Sequence, residues 1–191
     1  MHIIDKSITD NNSIYIGEKK ADFTLKKVKG EEINVEGESF YKISNSDFMR
    51  PFFMSIVSDS DHWMFISSNG SLSAGRKNCN YAIFPYYTDD KITETGETTG
   101  SKSIFLITTN GKKYLWEPFS KRHEGIYNVS RNLYKNVLGN KVIFEEINHD
   151  LNVVFSYEWN SSNKYGFLRK SRLKNQSDVL ISVELLDGIQ N

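Results

Sequence analysis

The chain has a single cysteine, Cys79, among its 191 residues. One thiol cannot form an internal disulfide, and no CxxC or Cys/His pattern accompanies it, so a disulfide framework and a zinc-ribbon site are both excluded. Net charge is missing as well: 24 Lys+Arg balance 24 Asp+Glu. Without a basic excess, the chain as a whole has no electrostatic pull toward nucleic acid or an anionic membrane. No apolar run approaches the ~18 residues of a transmembrane helix. The N-terminal MHIIDKSITDNN lacks a basic region followed by an apolar one, so it does not read as a signal peptide. With the lone cysteine, this sets the expectation of a reducing, cytoplasmic setting.

Motifs of known chemistry are also absent. GxSxG, GxxxxGK[ST] and GxGxxG do not occur, and Gly96-Glu97-Thr98-Thr99-Gly100 lacks the phosphate-binding lysine and reads as a loop. The histidines, His2, His62, His123 and His149, lie too far apart for any local metal pair, so no metal or other cofactor is expected. The acidic pairs Asp59/Asp61, Asp89/Asp90 and Glu145/Glu146 are no better as an acid/base couple. Adjacent strand residues point to opposite faces, and Asp59 and Asp61 suit a turn. No catalytic residue is assigned.

What the chain has is aromatics, 13% of its residues, and a period of two. In LNVVFSYEW, Leu151, Val153, Phe155, Tyr157 and Trp159 share one face, as a half-buried antiparallel strand requires. KVIFEEI precedes it across Asn148-His149-Asp150 and completes a hairpin. In DVLISVELLDG, apolar residues on both faces predict a strand inside a sheet or between layers. Further strands are expected in SIYIG, DFTLKKV, EINVEG, FYKIS, FFMSIVS, HWMFISS, YAIFPYY, SIFLITT and KKYLWEPF. Asn69-Gly70 and Asn110-Gly111 are the strongest hairpin turns, because Asn and Gly tolerate positive φ. HEGIYNVSRNLYKNVLG fits either a helical turn or a strand. The sum is an all-β, antiparallel sandwich with little helix, in one domain spanning residues 1–191.

The aromatics leave a surplus for binding. A sugar ring presents one apolar C–H face and a rim of hydroxyls, which flat aromatics and nearby polar groups can meet. The candidates are Trp63 with its neighbour His62, and the dense block Tyr81, Tyr86 and Tyr87, with Arg76, Asp89 and Asp90 beside it. An alternative for that block is a tyrosine-rich sheet edge, with Pro85 blocking further pairing.

The segment from Tyr41-Lys42-Ile43-Ser44 through FFMSIVSDSDHWMFISSNGSLSAGRKN, IFPYYTDDKI and TGSKSIFLI resembles the N-terminal region of large bacterial proteins related to cellobiose phosphorylase. The closing NHDLNVVFSYEW, GFLRKSRLKN and LLDGIQN are similar to it too. The resemblance implies a β-supersandwich of the galactose-mutarotase-like type, followed in the family by an (α/α)6 barrel that carries catalysis. It implies a non-catalytic, carbohydrate-associated module of a phosphorylase- or hydrolase-like protein, supporting that barrel and taking part in a homodimer. It also sets Asn69–Arg76 where the family has a loop reaching toward a sugar site, although Ser71 and Leu72 replace the expected glycine and tyrosine. Two further functions remain open: an independent sugar-binding module, and a small aldose mutarotase, which needs a histidine acid and a carboxylate base in one cleft.

Overall fold

The computed structural model describes residues 14–21, 25–86 and 89–191. Strands dominate, and every ladder is antiparallel. A two-residue ribbon, β1 (Tyr15–Ile16) with β2 (Lys19–Lys20), stands apart from the main sheets. One layer is a six-stranded sheet in the order β13-β12-β11-β10-β4-β3. Its strands are β3 (Lys29–Val35), β4 (Glu38–Ser44), β10 (Val129–Asn136), β11 (Lys141–Asn148), β12 (Val153–Ser162) and β13 (Gly166–Asn175).

Two three-stranded sheets complete the sandwich. One is β5 (Phe53–Ile56), β6 (His62–Ser67) and β7 (Leu72–Arg76). The other runs β14-β8-β9, from β8 (Gly100–Thr109), β9 (Lys112–Trp116) and β14 (Ser182–Gln190). A single helical turn and a half, α1 (Asp89–Glu94), and two short 3-10 turns at Ser46–Phe48 and Cys79–Tyr81 are the helical elements among the described residues.

Alternation explains the core. Val153, Phe155, Tyr157 and Trp159 point inward from β12, and Val142 and Phe144 do so from β11. They meet Met64 and Ile66 of β6, Leu72 and Ala74 of β7, and Phe105 and Ile107 of β8 in one cluster. Phe105 and Phe155 meet edge to face, ring centroids 5.0 Å apart, across the two layers. Burying a large apolar side chain there stabilises the fold by roughly 1.5–3 kcal/mol.

The turns follow their chemistry. Asn110 (φ 50°) and Gly111 (φ 73°) form the whole two-residue connection between β8 and β9, as a type I′ turn demands. Asn69-Gly70 lies in the four-residue turn between β6 and β7, where the Gly70 amide donates to the Ser67 carbonyl at 2.8 Å. β11 and β12 form the expected hairpin, and Val129–Asn136 takes the strand alternative rather than the helical one.

Three strand expectations are corrected. The stretch 25–28 carries no strand, and residues 22–24 of the same segment lie outside the described residues. YAIFPYY makes only one isolated bridge, between Ala82 and Gly75, and runs irregularly along β7, with Tyr87 outside the described residues. The segment DVLISVELLDG is not interior. It yields β14, at the border of its sheet, where Leu185 is 56% and Leu186 69% exposed. Apolar residues on both faces do not show whether a second layer actually covers them.

Candidate functional site

β6 sorts its side chains by parity. His62, Met64 and Ile66 face inward, while Trp63 and Phe65 face outward. From β5, Phe53 joins the outward set, its ring 5.0 Å from that of Phe65. Trp63 stands 5.4 Å from Phe65, and Tyr86 closes on both, at 5.6 Å from Trp63 and 6.5 Å from Phe65. The four rings make a continuous aromatic face on the outside of the β5–β6–β7 sheet, with Phe53 40% and Tyr86 53% exposed.

The segment after β7 positions this face. The amides of Ile83 and Phe84 donate to the Ala74 carbonyl at 2.8 and 3.1 Å, and the Ser73 hydroxyl donates to the Pro85 carbonyl at 2.8 Å. Phe84 therefore packs on the core while Tyr86 emerges beside Trp63. Gly75 lets the indole lie against β7: a Cβ there would sit 2.5 Å from Trp63 Cζ2 and 2.7 Å from the Tyr81 carbonyl oxygen. Trp63 Nε1 donates to the Asn78 carbonyl at 3.3 Å, which orients the ring.

The proposed carbohydrate residues thus divide. Trp63 and Tyr86 come together, with Phe53 and Phe65, which sequence reading left unassigned. Tyr81 stays exposed nearby, with the Lys77 ammonium 5.6 Å above its ring. His62 and Arg76 are register partners on the opposite side of the ladder from Trp63, and His62 packs edge-on to Phe167 at 6.1 Å. They do not join the aromatic face. Asp89 and Asp90 open α1, and their side chains, like Tyr87, lie outside the described residues. The loop expected to reach toward a sugar does not reach out at its centre, because Ser71 and Leu72 are fully buried.

A second concavity lies at one end of the sandwich, where β9 leaves, β10 begins and β11 ends. It is a cleft of about 280 Å³, floored by Trp116, Arg131 and Glu146. Glu146, facing inward from β11, is 1% exposed. Its Oε1 accepts from Trp116 Nε1 at 2.8 Å, and its Oε2 accepts from the Phe119 amide and from Arg131 Nε, both at 2.7 Å. Arg131 Nη2 donates to the Ser120 carbonyl at 3.0 Å. Burial disfavours the Arg131 charge, but the facing Glu146 outweighs it and holds the guanidinium above its ordinary range. A buried carboxylate so fully engaged is a clamp that fixes the 117–128 loop on the sheet.

The cleft walls add Asp47 and Phe48 from the 3-10 turn, Lys26, and His123, Glu124 and Tyr127 from the loop. Local crowding pushes the Asp47 carboxyl up against the pull of Arg131, although the residue as a whole is exposed. Burial likewise works against ionisation of Glu117, yet its contact with the Lys102 ammonium prevails and lowers it. The Tyr127 hydroxyl, which donates to the Leu115 carbonyl at 2.7 Å, is raised by burial and then by Asp150. Glu145, on the opposite face of β11 from Glu146, accepts instead from Tyr134 and Asn132 at 2.7 and 2.8 Å. No metal-binding group of three or more His, Cys, Asp or Glu occurs among the described residues, and no helix there is long and apolar enough to cross a membrane.

Fold and surface together define an all-β sandwich with an aromatic outer face and a polar end cleft. The chain matches no family model, and no curated protein matches it significantly.

Proposed function

We propose that the protein is a non-catalytic, carbohydrate-associated β-sandwich module, of the galactose-mutarotase-like type its sequence resembles. The observation that carries this reading is the outward face of Phe53, Trp63, Phe65 and Tyr86. Three rings on a rigid ladder, with Tyr86 on the strap beside it, offer apolar area inclined at 37–77° from ring to ring at little cost in side-chain ordering, which suits the C–H faces of successive sugar units. Calorimetry and affinity electrophoresis with soluble oligo- and polysaccharides test it. Binding should weaken at least several-fold in Trp63→Ala and in Tyr86→Ala. No binding at millimolar saccharide removes the reading, and so does binding that both variants leave unchanged.

A second reading, a scaffold for a helical catalytic neighbour, is favoured by the exposed apolar residues Leu115 and Leu186 on the outward face of the β14–β8–β9 sheet, with Leu185 and Ile189 left exposed on its other face. Covering by such a domain, added in trans or fused, would protect β14 amides from hydrogen exchange. Unchanged exchange would exclude it.

A further inference from the structure

Each main sheet ends in two edge strands, and an edge carries unpaired N–H and C=O groups that invite another chain. All but one of these edges are guarded. Along β5, the Val57 amide donates to the Gly139 carbonyl at 2.9 Å and Lys135 Nζ to the Ser55 carbonyl at 3.0 Å. Along β7, the amides of Ile83 and Phe84 donate to the Ala74 carbonyl. β9 carries Lys112 and Lys113, and the Tyr127 hydroxyl donates to its Leu115 carbonyl. β13 carries Arg169, Lys170, Arg172 and Lys174, and β3 carries Lys29, Glu31 and Glu32. Charges of this kind discourage pairing.

β14 is the exception. Its nine residues, SVELLDGIQ, include no lysine and no proline, and each keeps register with β8 without a bulge. On the side away from β8, β14 makes no backbone hydrogen bond among the described residues. Its two charges are already engaged, Glu184 with Lys113 at 3.0 Å and Asp187 with Arg169 at 2.8 Å. Apolar side chains stand exposed on both of its faces. Leu186 faces outward, while Leu185 and Ile189 face the side of the large sheet and are still exposed. The large sheet therefore stops short of β14, which leaves this edge room to meet another strand.

The strand's own sequence names the occupant. Antiparallel pairing of β14 with β14 of a second copy has one register that uses the whole strand, with the two-fold axis at Leu186. Opposed residues in such a pair share a face. Leu186 then meets Leu186 of the second copy, and Val183 meets its Ile189. Glu184 falls opposite Gly188 and Asp187 opposite Leu185, so no like charges face each other. A formal net charge of +0 adds no general repulsion between copies.

We propose that β14 pairs antiparallel with β14 of a second copy, joining two three-stranded sheets into one across a two-fold axis. A single strand pair buries less than the ~1,200 Å² of standard interfaces, so the dimer is weak and concentration-dependent. The pairing rests neither on the aromatic face nor on a helical neighbour.

Sedimentation of the full chain alone, from roughly micromolar to millimolar concentration, reads the association. The mean mass should rise from monomer toward dimer. Over the same series, amide exchange should slow in β14 and stay unchanged at the β13 and β9 edges. Leu186→Lys and Leu186→Glu each set like charges together at the axis, and each should weaken self-association about tenfold. An equal mixture of the two variants should recover it, because opposite charges then meet. Dilute samples of either should unfold like wild type, since Leu186 is exposed in the monomer. A chain that stays monomeric throughout, or a dimer that both variants leave intact, would overturn the proposal. So would a mixture that does not recover, or protection that rises on another edge instead.

Discussion

Replacing Glu146 by Gln keeps the side chain's shape and removes its charge. Arg131, with only 16% of its side chain exposed, would then keep a buried guanidinium without a counter-ion. The amide oxygen can accept from either Trp116 Nε1 or the Phe119 amide and Arg131 Nε, but one set is left facing an NH2 group. Removing one partner of a buried ion pair costs about 3–5 kcal/mol. The surviving amide acceptor puts the expected loss near the lower end, about 3 kcal/mol. For a chain of 150–250 residues each kcal/mol lowers Tm by about 2–4 °C, which gives a drop of about 6–12 °C. Urea unfolding at pH 7, followed by tryptophan fluorescence and far-ultraviolet circular dichroism, measures it. The double variant Arg131→Met with Glu146→Leu should lose less than the two single losses added together, because apolar side chains of similar volume leave no orphan charge. A Glu146→Gln loss below about 1 kcal/mol, or strict additivity in the double variant, would refute the reasoning that this cluster clamps the loop.

Other perturbations follow from the same structure. Arg169 holds the Asp187 carboxyl below its ordinary range through two hydrogen bonds at 2.8 Å, with Ser103 assisting. A depressed carboxyl supplies stability above its unfolded pKa and loses it as pH falls through the folded one. Asp187→Asn should therefore cost about 1.5–3 kcal/mol at pH 7, with the gap to wild type closing in acid unfolding below about pH 4. Gly75→Ala should cost about 1–3 kcal/mol in chemical denaturation, because the new methyl meets Trp63 and the backbone at 81–82. It should also weaken saccharide retention by displacing the indole. Leu186→Ser, on the exposed side of β14, should change stability by no more than about 0.5 kcal/mol; a loss of 2 kcal/mol or more would mean that the side chain is covered.

The all-β class was legible because its signal is local. The inward run of β12 and the Asn110-Gly111 turn each need only a few residues to declare themselves. Trp159 in the core and the opposed faces of Glu145 and Glu146 follow from parity alone. Where the sequence misled, the deciding fact was a neighbour distant along the chain. β14 carries a buried-strand pattern yet has one paired side, toward β8. YAIFPYY has strand composition, but Ser73 and Ala74 hold it as an irregular strap.

The candidate sites show the same divide. Trp63 and Tyr86 were identifiable as aromatics, while their union with Phe53 and Phe65 depends on the β5–β6 register. Nothing in the sequence linked Trp116, Arg131 and Glu146, which come from three strands. The one available signal was Glu146 itself, a charged residue at the inward position that follows Val142 and Phe144 in the alternation.

The layer opposite the six-stranded sheet is split, and its halves are joined at one end by hydroxyls rather than a ladder. Ser71 meets Thr99 at 3.1 Å, and the Leu72 amide donates to the same Thr99 oxygen at 3.3 Å. No backbone ladder carries cooperativity from β7 to β8, so each half depends on its own apolar contacts with the large sheet. Opening fluctuations should then fall into two groups, one for β5–β7 and one for β8, β9 and β14, each able to loosen while the other stays closed. The aromatic face rides on the first group and the end cleft borders the second. A ligand at either place would steady its own half first, and amide exchange read strand by strand would show which half it had chosen.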